Sequence, residues 1–214
     1  SKHLFKKVSR KAIPLESHLV EARQTAHVLN LLKSGKNEPV HILLYGPAGT
    51  GKTSYALGIA ERLGIEAYEI LREQENRSCN RRAAIVACMK MTNAGNERSL
   101  IIVDEADNLL NTDCSWFMRG ETLDKGWLNQ FMEEPGARMI WITNQTGMID
   151  ESVRRRFAFS IPFRPFNRHQ RLQMTESVLI QNRVIKQFSP EEVASLVKKY
   201  PVSGGILDMA VKKA

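Results

Sequence analysis

The sequence lacks the features of membrane-inserted and disulfide-stabilised proteins. No apolar run approaches the length of a membrane span, and residues Ser1–Lys7 contain no apolar signal-peptide core. Its three cysteines, Cys79, Cys88 and Cys114, show no Cys-x-x-Cys spacing. They therefore indicate reduced thiols, with neither a disulfide framework nor a metal site. We expect a cytoplasmic protein that does not bind a membrane.

Acidic residues are missing from the start of the chain. The 214 residues carry a formal net charge of +8, and part of it lies before Pro14, at Lys2, Lys6, Lys7, Arg10 and Lys11. Such a basic arm, predicted over residues 1–15, is compatible with a nucleic-acid contact or with a solvated linker to an upstream domain. The length of 214 residues predicts one well-packed core with room for a small second domain, and the 43% hydrophobic content is ordinary for a soluble globular protein.

One short segment matches every position of the phosphate-binding pattern G-x-x-x-x-G-K-[ST]. Residues 46–53 read Gly-Pro-Ala-Gly-Thr-Gly-Lys-Thr, between the apolar run Val40–Tyr45 and the helical pattern Ser54–Leu63. In this context, glycines let backbone N–H groups converge on phosphate oxygens at a helix amino terminus. We expect Lys52 to contact the β- and γ-phosphates of a nucleoside triphosphate and the Thr53 hydroxyl to coordinate Mg²⁺. The predicted nucleotide-binding residues of this loop are Gly46, Pro47, Ala48, Gly49, Thr50, Gly51, Lys52, Thr53 and Ser54.

Apolar segments and helical patterns alternate along the chain, which predicts an α/β fold with a parallel sheet. The predicted strands are Val40–Tyr45, Ile65–Ile70, Leu100–Val103, Met139–Thr143 and Phe159–Phe163. The predicted helices of this part are Glu16–Lys33, Ser54–Leu63, Arg81–Met91 and Leu123–Glu134. We expect this α/β domain to occupy residues 16–165.

Strand patterns end after Pro165, and helix signals replace them. Asn167 is predicted to cap a helix that extends to about Asn182, Ser189 to cap a second helix, and Ser203 to begin a third. These helices predict a small helical domain over residues 166–214. The chain ends within the third helical pattern, so we expect that it is a piece of a longer protein.

The predicted strand Leu100–Val103 ends in two carboxylates, Asp104 and Glu105. In a hydrolytic nucleotide site, Asp104 would hold the Mg²⁺ shell, and Glu105 would orient and deprotonate the attacking water. Residues 104–107 also spell the signature of DEAD-box RNA helicases. Those enzymes need a second α/β domain and a Ser-Ala-Thr motif, and these 214 residues accommodate neither.

Two further segments have more than one interpretation. Asn144 ends the fourth predicted strand, where an amide either contacts the γ-phosphate and attacking water or serves as an ordinary turn residue. Arg154, Arg155 and Arg156 are compatible with a solvated basic segment, a nucleic-acid contact, or arginine fingers that enter a neighbouring subunit's site.

The order of these parts resembles that of the AAA+ ATPases over nearly the whole chain. Ile149–Phe157, followed by Ile161–Phe163 and Pro165, is similar to the arginine-finger segment of the narrower AAA group, especially the katanin–spastin type. Ser203–Leu207 resembles that group's Ser-Gly-Ala-Asp-Leu segment, whose backbone lies near adenine and ribose.

The resemblance implies a fold, a second set of site residues and an assembly. The fold would be the three-layer α/β/α P-loop NTPase fold, with five parallel strands in the order 5-1-4-3-2 and a helical lid. This order would place Asn144 between the phosphate loop and the strand that ends in Asp104. Arg155 and Arg156, with Arg154 less so, would act on a neighbouring subunit's ATP in a ring, usually a hexamer. The resemblance also implies that Gly204 and Gly205 contact the nucleotide.

The resemblance fails in the segment Leu71–Arg82. AAA unfoldases carry an aromatic–hydrophobic–glycine loop there that grips a polypeptide, whereas this segment has no aromatic residue and no glycine. Trp116 and Phe117 would be a substitute contact if exposed, or would pack onto their own domain.

We therefore expect a Mg²⁺-dependent ATPase whose hydrolysis of ATP to ADP and phosphate drives remodelling of a macromolecular partner, foremost a protein. One alternative is a nucleic-acid loader or translocase, for which the net charge and Arg77, Arg81 and Arg82 argue. Another is an assembly module that binds ATP with little turnover, against which Glu105 argues.

Overall fold

The computed structural model describes residues 4–9, 12–34, 37–71, 78–92, 99–110, 125–145 and 149–199. The strands are β1 (Phe5–Lys7), β2 (Val40–Tyr45), β3 (Ala67–Ile70), β4 (Leu100–Val103), β5 (Arg138–Thr143) and β6 (Phe159–Pro162). The helices are α1 (Ala22–Lys33), α2 (Lys52–Leu63), α3 (Ser78–Thr92), α4 (Asp107–Leu110), α5 (Lys125–Met132), α6 (Glu151–Arg154), α7 (Arg168–Gln181) and α8 (Pro190–Lys199). Of the helices within these ranges, none combines the length and the apolar composition that a membrane crossing requires.

The described strands form one sheet in the order β1-β3-β4-β5-β2-β6. All neighbours pair in parallel except β1, which is antiparallel to β3. Strand β5 is buried along its whole length, as expected for a parallel strand covered on both faces. The predicted α/β fold and the order of its five parallel strands are confirmed. The wholly parallel, five-stranded sheet is corrected to a mixed sheet of six strands.

Alternate residues of the central strands point into two separate cores. Leu43 and Trp141 belong to one core, in which Ile85 of α3 and Phe131 of α5 also lie. Ile42 belongs to the other core, together with residues of α1 and α2. This period-two division of an almost continuously apolar sequence produces the three-layer α/β/α arrangement.

The amino-terminal arm contains β1, which the sequence did not predict. Lys6 Nζ lies 3.6 Å from the Glu69 carboxylate, and Lys7 forms a close ion pair with Glu66. A three-residue strand is too short to show an alternation of apolar and polar residues, so the sequence contains no signal that separates β1 from the rest of the basic arm. Two of the arm's charges are therefore paired with carboxylates on or beside β3.

The helix boundaries differ from the predicted ones where the backbone turns sharply. Helix α1 begins at Ala22 rather than Glu16, because Leu15–Ser17 forms a 3₁₀ turn and His18 is extended. Helix α4 lies between the predicted strand Leu100–Val103 and the predicted helix Leu123–Glu134, where no helix was predicted, and α6 was not predicted either. Both are four residues long, which is little more than one turn of a periodic pattern.

The predicted caps of the two carboxyl-terminal helices are confirmed. The Asn167 side chain accepts a hydrogen bond from the Gln170 backbone N–H at 2.9 Å, and the Gln170 side chain accepts one from the Asn167 N–H. Ser189 and Glu192 form the same reciprocal pair at α8. The helix predicted to begin at Ser203 lies outside the described residues, so the lid remains a prediction there.

Candidate active site

The phosphate loop follows β2 directly and ends where α2 begins, at Lys52. Gly46, Gly49 and Gly51 have φ angles of 139°, 75° and 92°, a region that residues with a Cβ rarely occupy. At Gly46 an added Cβ would lie 2.1 Å from the carbonyl oxygen of Phe163. The loop therefore needs glycine at this position both for its conformation and for its packing against the chain after β6.

Lys52 lies folded back onto its own loop. Its side chain is 5% exposed, and Nζ donates to the carbonyl oxygens of Gly46 and Pro47, both at 2.6 Å. Burial lowers the pKa of the Lys52 ammonium group, while the Asp104 and Asp107 carboxylates act in the opposite direction. The Lys52 ammonium group thus lies inside a loop whose backbone amides can also face a ligand, which suits the binding of phosphate oxygens.

Thr53 and Asp104 meet across the edge of the sheet. The Thr53 hydroxyl, in the first turn of α2, donates a hydrogen bond to Asp104 Oδ2 over a distance of 2.6 Å. Asp104 directly follows the last residue of β4. A hydroxyl oxygen and a carboxylate oxygen from two different elements therefore lie next to each other. Such hard oxygen ligands are the ones that Mg²⁺ prefers beside phosphates, so the residues present fit the ion.

Glu105 lies directly after Asp104 in an unusual backbone conformation. It is exposed and has a φ angle of 48°, which is rare for a residue other than glycine. Its backbone N–H donates to Asp104 Oδ1 at 2.7 Å, and the N–H of Ala106 donates to the Ile142 carbonyl on β5 at 2.8 Å. The turn ends β4 and places the two adjacent carboxyl groups at the same edge of the sheet as the phosphate loop.

Two residues that the sequence reasoning did not assign to the site support this edge. Arg81 of α3 is 5% exposed, and its guanidinium donates to the backbone carbonyls of Asp104 and Glu105. Asp107 Oδ1 accepts hydrogen bonds from the Thr143 hydroxyl at 2.8 Å and from the Asn144 backbone N–H at 3.0 Å. Neither role has a signal in the sequence, because the partners are remote in the chain and mostly backbone atoms.

Asn144 lies where the predicted strand order requires. It follows β5, which is the strand between β2 and β4, and its side chain is exposed. The Asp107 carboxylate fixes the backbone at this position. Asn144 thus stands at the end of a strand flanked by the phosphate loop and by the Asp104–Glu105 turn.

Arg155 and Arg156 have side-chain partners on or beside helices α6 and α5. Arg155 Nη2 donates to Glu151 at 3.0 Å, with both side chains 76% exposed. Arg156 is 32% exposed, donates from Nε to Asn129 Oδ1 at 2.9 Å and forms a close ion pair with Glu133. Arg154 is exposed at the end of α6.

Several predicted residues lie outside the described part of the chain. Gly204 and Gly205 belong to this group, and so do Trp116 and Phe117. Of the two remaining arginines of the nucleic-acid hypothesis, only Arg82 lies within the described residues. Residue 77 is outside the described ranges, whereas the Arg82 guanidinium lies 4.9 Å from the centre of the Trp127 ring.

Comparison with known proteins identifies relatives for most of the α/β part. The family model described as "ATPase family associated with various cellular activities (AAA)" matches residues 42–165. A replication factor C large subunit from Methanothrix thermoacetophila is 35% identical over 85 residues, which are 37% of this chain and 17% of that protein. The corresponding subunit from Nanoarchaeum equitans is 32% identical over 108 residues, 50% of this chain and 25% of the relative.

A putative 26S proteasome regulatory subunit homolog from Methanocaldococcus jannaschii is 25% identical over 152 residues, 66% of this chain and 40% of the relative. The chain thus matches less than half the length of these curated relatives. Among solved structures, a chain of the HORMA:CdnC:Trip13 complex of E. coli MS115-1 is similar at a TM-score of 0.58 and 19% identity. The match covers 91% of this chain and 78% of the other, and it shows a shared fold.

Proposed function

Because the chain belongs to the AAA family of ATPases, we propose that it binds ATP with Mg²⁺ and hydrolyses it to ADP and phosphate at the edge formed by the phosphate loop and the Asp104–Glu105 turn. The observation that carries this proposal is the 2.6 Å contact between the Thr53 hydroxyl and the Asp104 carboxylate beside the buried Lys52. The phosphate-binding cation Lys52 and the ion ligand Thr53 are thus adjacent in the chain, and the end of β4 brings the second ligand, Asp104, beside them.

We expect each side chain of the site to have the role that its chemistry allows. Lys52 would leave its backbone carbonyl partners and bind the β- and γ-phosphates, with the backbone N–H groups of the loop residues other than Pro47 around them. Thr53 and Asp104 would hold Mg²⁺, which supplies positive charge against the phosphate oxygens. Glu105 would accept a proton from the attacking water, and the Asn144 amide would orient that water or the γ-phosphate.

We assign the arginine cluster to a neighbouring subunit's site, in a ring such as a hexamer. Arg155 contacts Glu151 on α6, Arg156 contacts Asn129 on α5 and Glu133 just after it, and Arg155 is the more exposed of the two. The likeness to the katanin–spastin arginine-finger segment supports the same assignment, with Arg154 as a third member. Gly204 and Gly205 are proposed to contact the adenosine part of ATP.

We propose that hydrolysis in this ring remodels a protein partner in the cytoplasm. A second candidate is a nucleic-acid-associated loader, and the similarity to replication factor C large subunits favours it. The charges that first suggested it are partly engaged already, because Arg81 is buried and Lys6 and Lys7 are paired. Stimulation of the ATPase by duplex or single-stranded DNA, with binding that weakens steeply as salt rises, would favour the loader.

The variant Glu105→Gln tests the proposal most simply. Loss of the general base should lower turnover at least about 100-fold while the affinity for Mg·ATP stays within about threefold. Phosphate release and binding of a fluorescent ATP analogue measure the two quantities. Glu176→Gln, an exposed change on α7, is the matched control and should behave as the wild type. Wild-type turnover in Glu105→Gln would contradict the assignment, and ATP binding without turnover in the wild type would favour the assembly module.

A further inference from the structure

Arg81 contacts the candidate site through the backbone carbonyl oxygens of the turn after β4 rather than through a carboxylate group. Its Nη1 donates to the Glu105 carbonyl oxygen at 2.7 Å and its Nη2 donates to the Asp104 carbonyl oxygen. The side chain is 5% exposed and comes from the first turns of α3, 23 and 24 residues away along the chain. Hydrogen bonds from an ionised guanidinium are among the stronger ones, and a planar fork fixes two acceptors at once.

The backbone that Arg81 holds is strained. Glu105 has a φ angle of 48°, and an L-residue in this left-handed region costs about 1–2 kcal/mol. Such a conformation persists only where its surroundings determine it. On the β5 side the Ala106 N–H is bound to the Ile142 carbonyl, and on the α3 side the Arg81 fork holds the two preceding carbonyls. The direction of the Glu105 side chain follows from this turn.

We propose that Arg81 is a positioning residue for hydrolysis: by holding the Asp104 and Glu105 carbonyls it fixes the left-handed turn that aims the Glu105 carboxylate at the attacking water. The proposal rests on the proposed function, since it gives Glu105 the role of base. These two hydrogen bonds act on the backbone of the turn after β4, which carries the base, and not on the residues that would bind phosphate. The loss of Arg81 should therefore lower kcat and leave ATP binding nearly unchanged.

The chain contains a matched control for a purely structural role. Arg138, at the start of β5, is 1% exposed, and its guanidinium donates to the backbone carbonyls of Leu32, Ser34, Glu38 and Ala137. It lies at the amino end of β5, whereas the site lies at the carboxyl ends of the strands. Substituting either arginine disturbs a buried guanidinium, but only one of them adjoins the Asp104–Glu105 turn.

The experiment compares Arg81→Lys with Arg138→Lys by steady-state phosphate release, Mg·ATP affinity and thermal unfolding. Lysine keeps the charge but cannot bind both carbonyls in the same fork. We expect Arg81→Lys to lower kcat about 10- to 100-fold with the Mg·ATP affinity within about threefold, because small misplacements of a reacting group have effects of that size. Arg138→Lys should lower the unfolding temperature and keep the wild-type kcat at temperatures where it remains folded.

Two further measurements separate positioning from general damage. In Arg81→Ala, millimolar guanidinium should restore part of kcat, while Arg138→Ala should gain nothing. In a Glu105→Gln background, Arg81→Lys should cause little additional loss, because both changes act through the same carboxyl group.

Wild-type kcat in Arg81→Lys, or equal effects of the two lysine variants on kcat, would overturn the inference. If Arg81→Ala does not fold, Arg81→Gln replaces it under the same criteria. Should Glu105→Gln retain full turnover, the proposed function itself fails. Should Glu105→Gln be inactive and Arg81→Lys fully active, only the role of Arg81 fails.

Discussion

At the scale of single residues, the phosphate loop depends on Gly46 more than on its other glycines. Gly46 has a φ angle of 139° and no room for a Cβ, whereas Gly49 has a φ angle of 75° and nothing within 4 Å of the added atom. We expect Gly46→Ala to lower the free energy of unfolding by at least about 3 kcal/mol, from strain and overlap together. Gly49→Ala should cost only about 1 kcal/mol. Denaturant unfolding checks both, and equal losses would contradict the packing argument.

The buried His41 makes stability dependent on pH. Its Nδ1 accepts a hydrogen bond from Trp141 Nε1 at 2.9 Å, and burial lowers its pKa to about 4 from an ordinary value of about 6.5. The nearby Arg138 acts in the same direction, and the Met132 backbone opposes it. Because the unfolded chain takes up a proton below pH 6.5 while the folded one does not until about pH 4, stability is present above pH 6.5 and falls between these values.

The variant His41→Asn should reduce this dependence. Asparagine offers Trp141 an acceptor but does not ionise. Between pH 6.5 and pH 4 the slope of unfolding free energy against pH should become shallower by about 1 kcal/mol per pH unit. His18, whose pKa burial also lowers to about 4, would account for part of the remaining slope. An unchanged slope in urea titrations at several pH values would show that His41 is not responsible.

Residues of the site were predictable where chemistry lies in contiguous sequence. Lys52 and Thr53 follow from the loop pattern, and Asp104 follows from its position at the end of an apolar strand. Arg81 and Asp107 were not predictable, since their partners are backbone groups and a threonine hydroxyl that only the folded sheet brings near. The roles of all of these residues in ATP binding and hydrolysis, including those of Glu105, Asn144 and the arginines, remain predictions.

At the scale of elements, α7 depends on its first turn. Asn167 and Gln170 form a reciprocal capping box, and few of the helix's residues are buried. We expect Asn167→Ala to lower the free energy of unfolding by about 1 kcal/mol, because an amino-terminal N–H loses its partner. Gln173→Ala, at an exposed position in the same helix, is the control and should be neutral within about 0.5 kcal/mol. Equal values for both variants in denaturant unfolding would argue against the cap.

Elements were predictable when they were long and apolar. Strands β2 and β4 match their predicted bounds, because buried parallel strands form continuous apolar runs between polar turns. Strand β1 was missed because three residues carry no period. Helix α1 was predicted to begin at Glu16, whereas Leu15–Ser17 forms a 3₁₀ turn and His18 is extended, so that the helix begins at Ala22.

At the scale of the whole molecule, the arginine cluster tests whether subunits complete each other's sites. Arg155→Ala and Arg156→Ala should each lower turnover per subunit at least about 100-fold while ATP binding stays within a few-fold. Wild-type turnover per subunit should rise as the protein concentration is raised. Arg23→Ala, an exposed change on α1, is the control.

Mixing separates action on a neighbour from action within one chain. A mixture of Arg155→Ala and Glu105→Gln subunits should be more active than either alone, because some interfaces then combine an intact arginine with an intact base. The absence of any gain on mixing, together with turnover independent of concentration, would place the arginines outside a shared site.

Phosphate release from Mg·ATP by the wild type and by Glu105→Gln, at matched protein concentrations and with bound nucleotide quantified, decides whether ATP is hydrolysed at the Asp104–Glu105 turn. We expect measurable release by the wild type, release lower by at least about 100-fold in the variant, and similar ATP binding by both. Equal release by the two proteins, or no binding of ATP by either, would contradict this expectation.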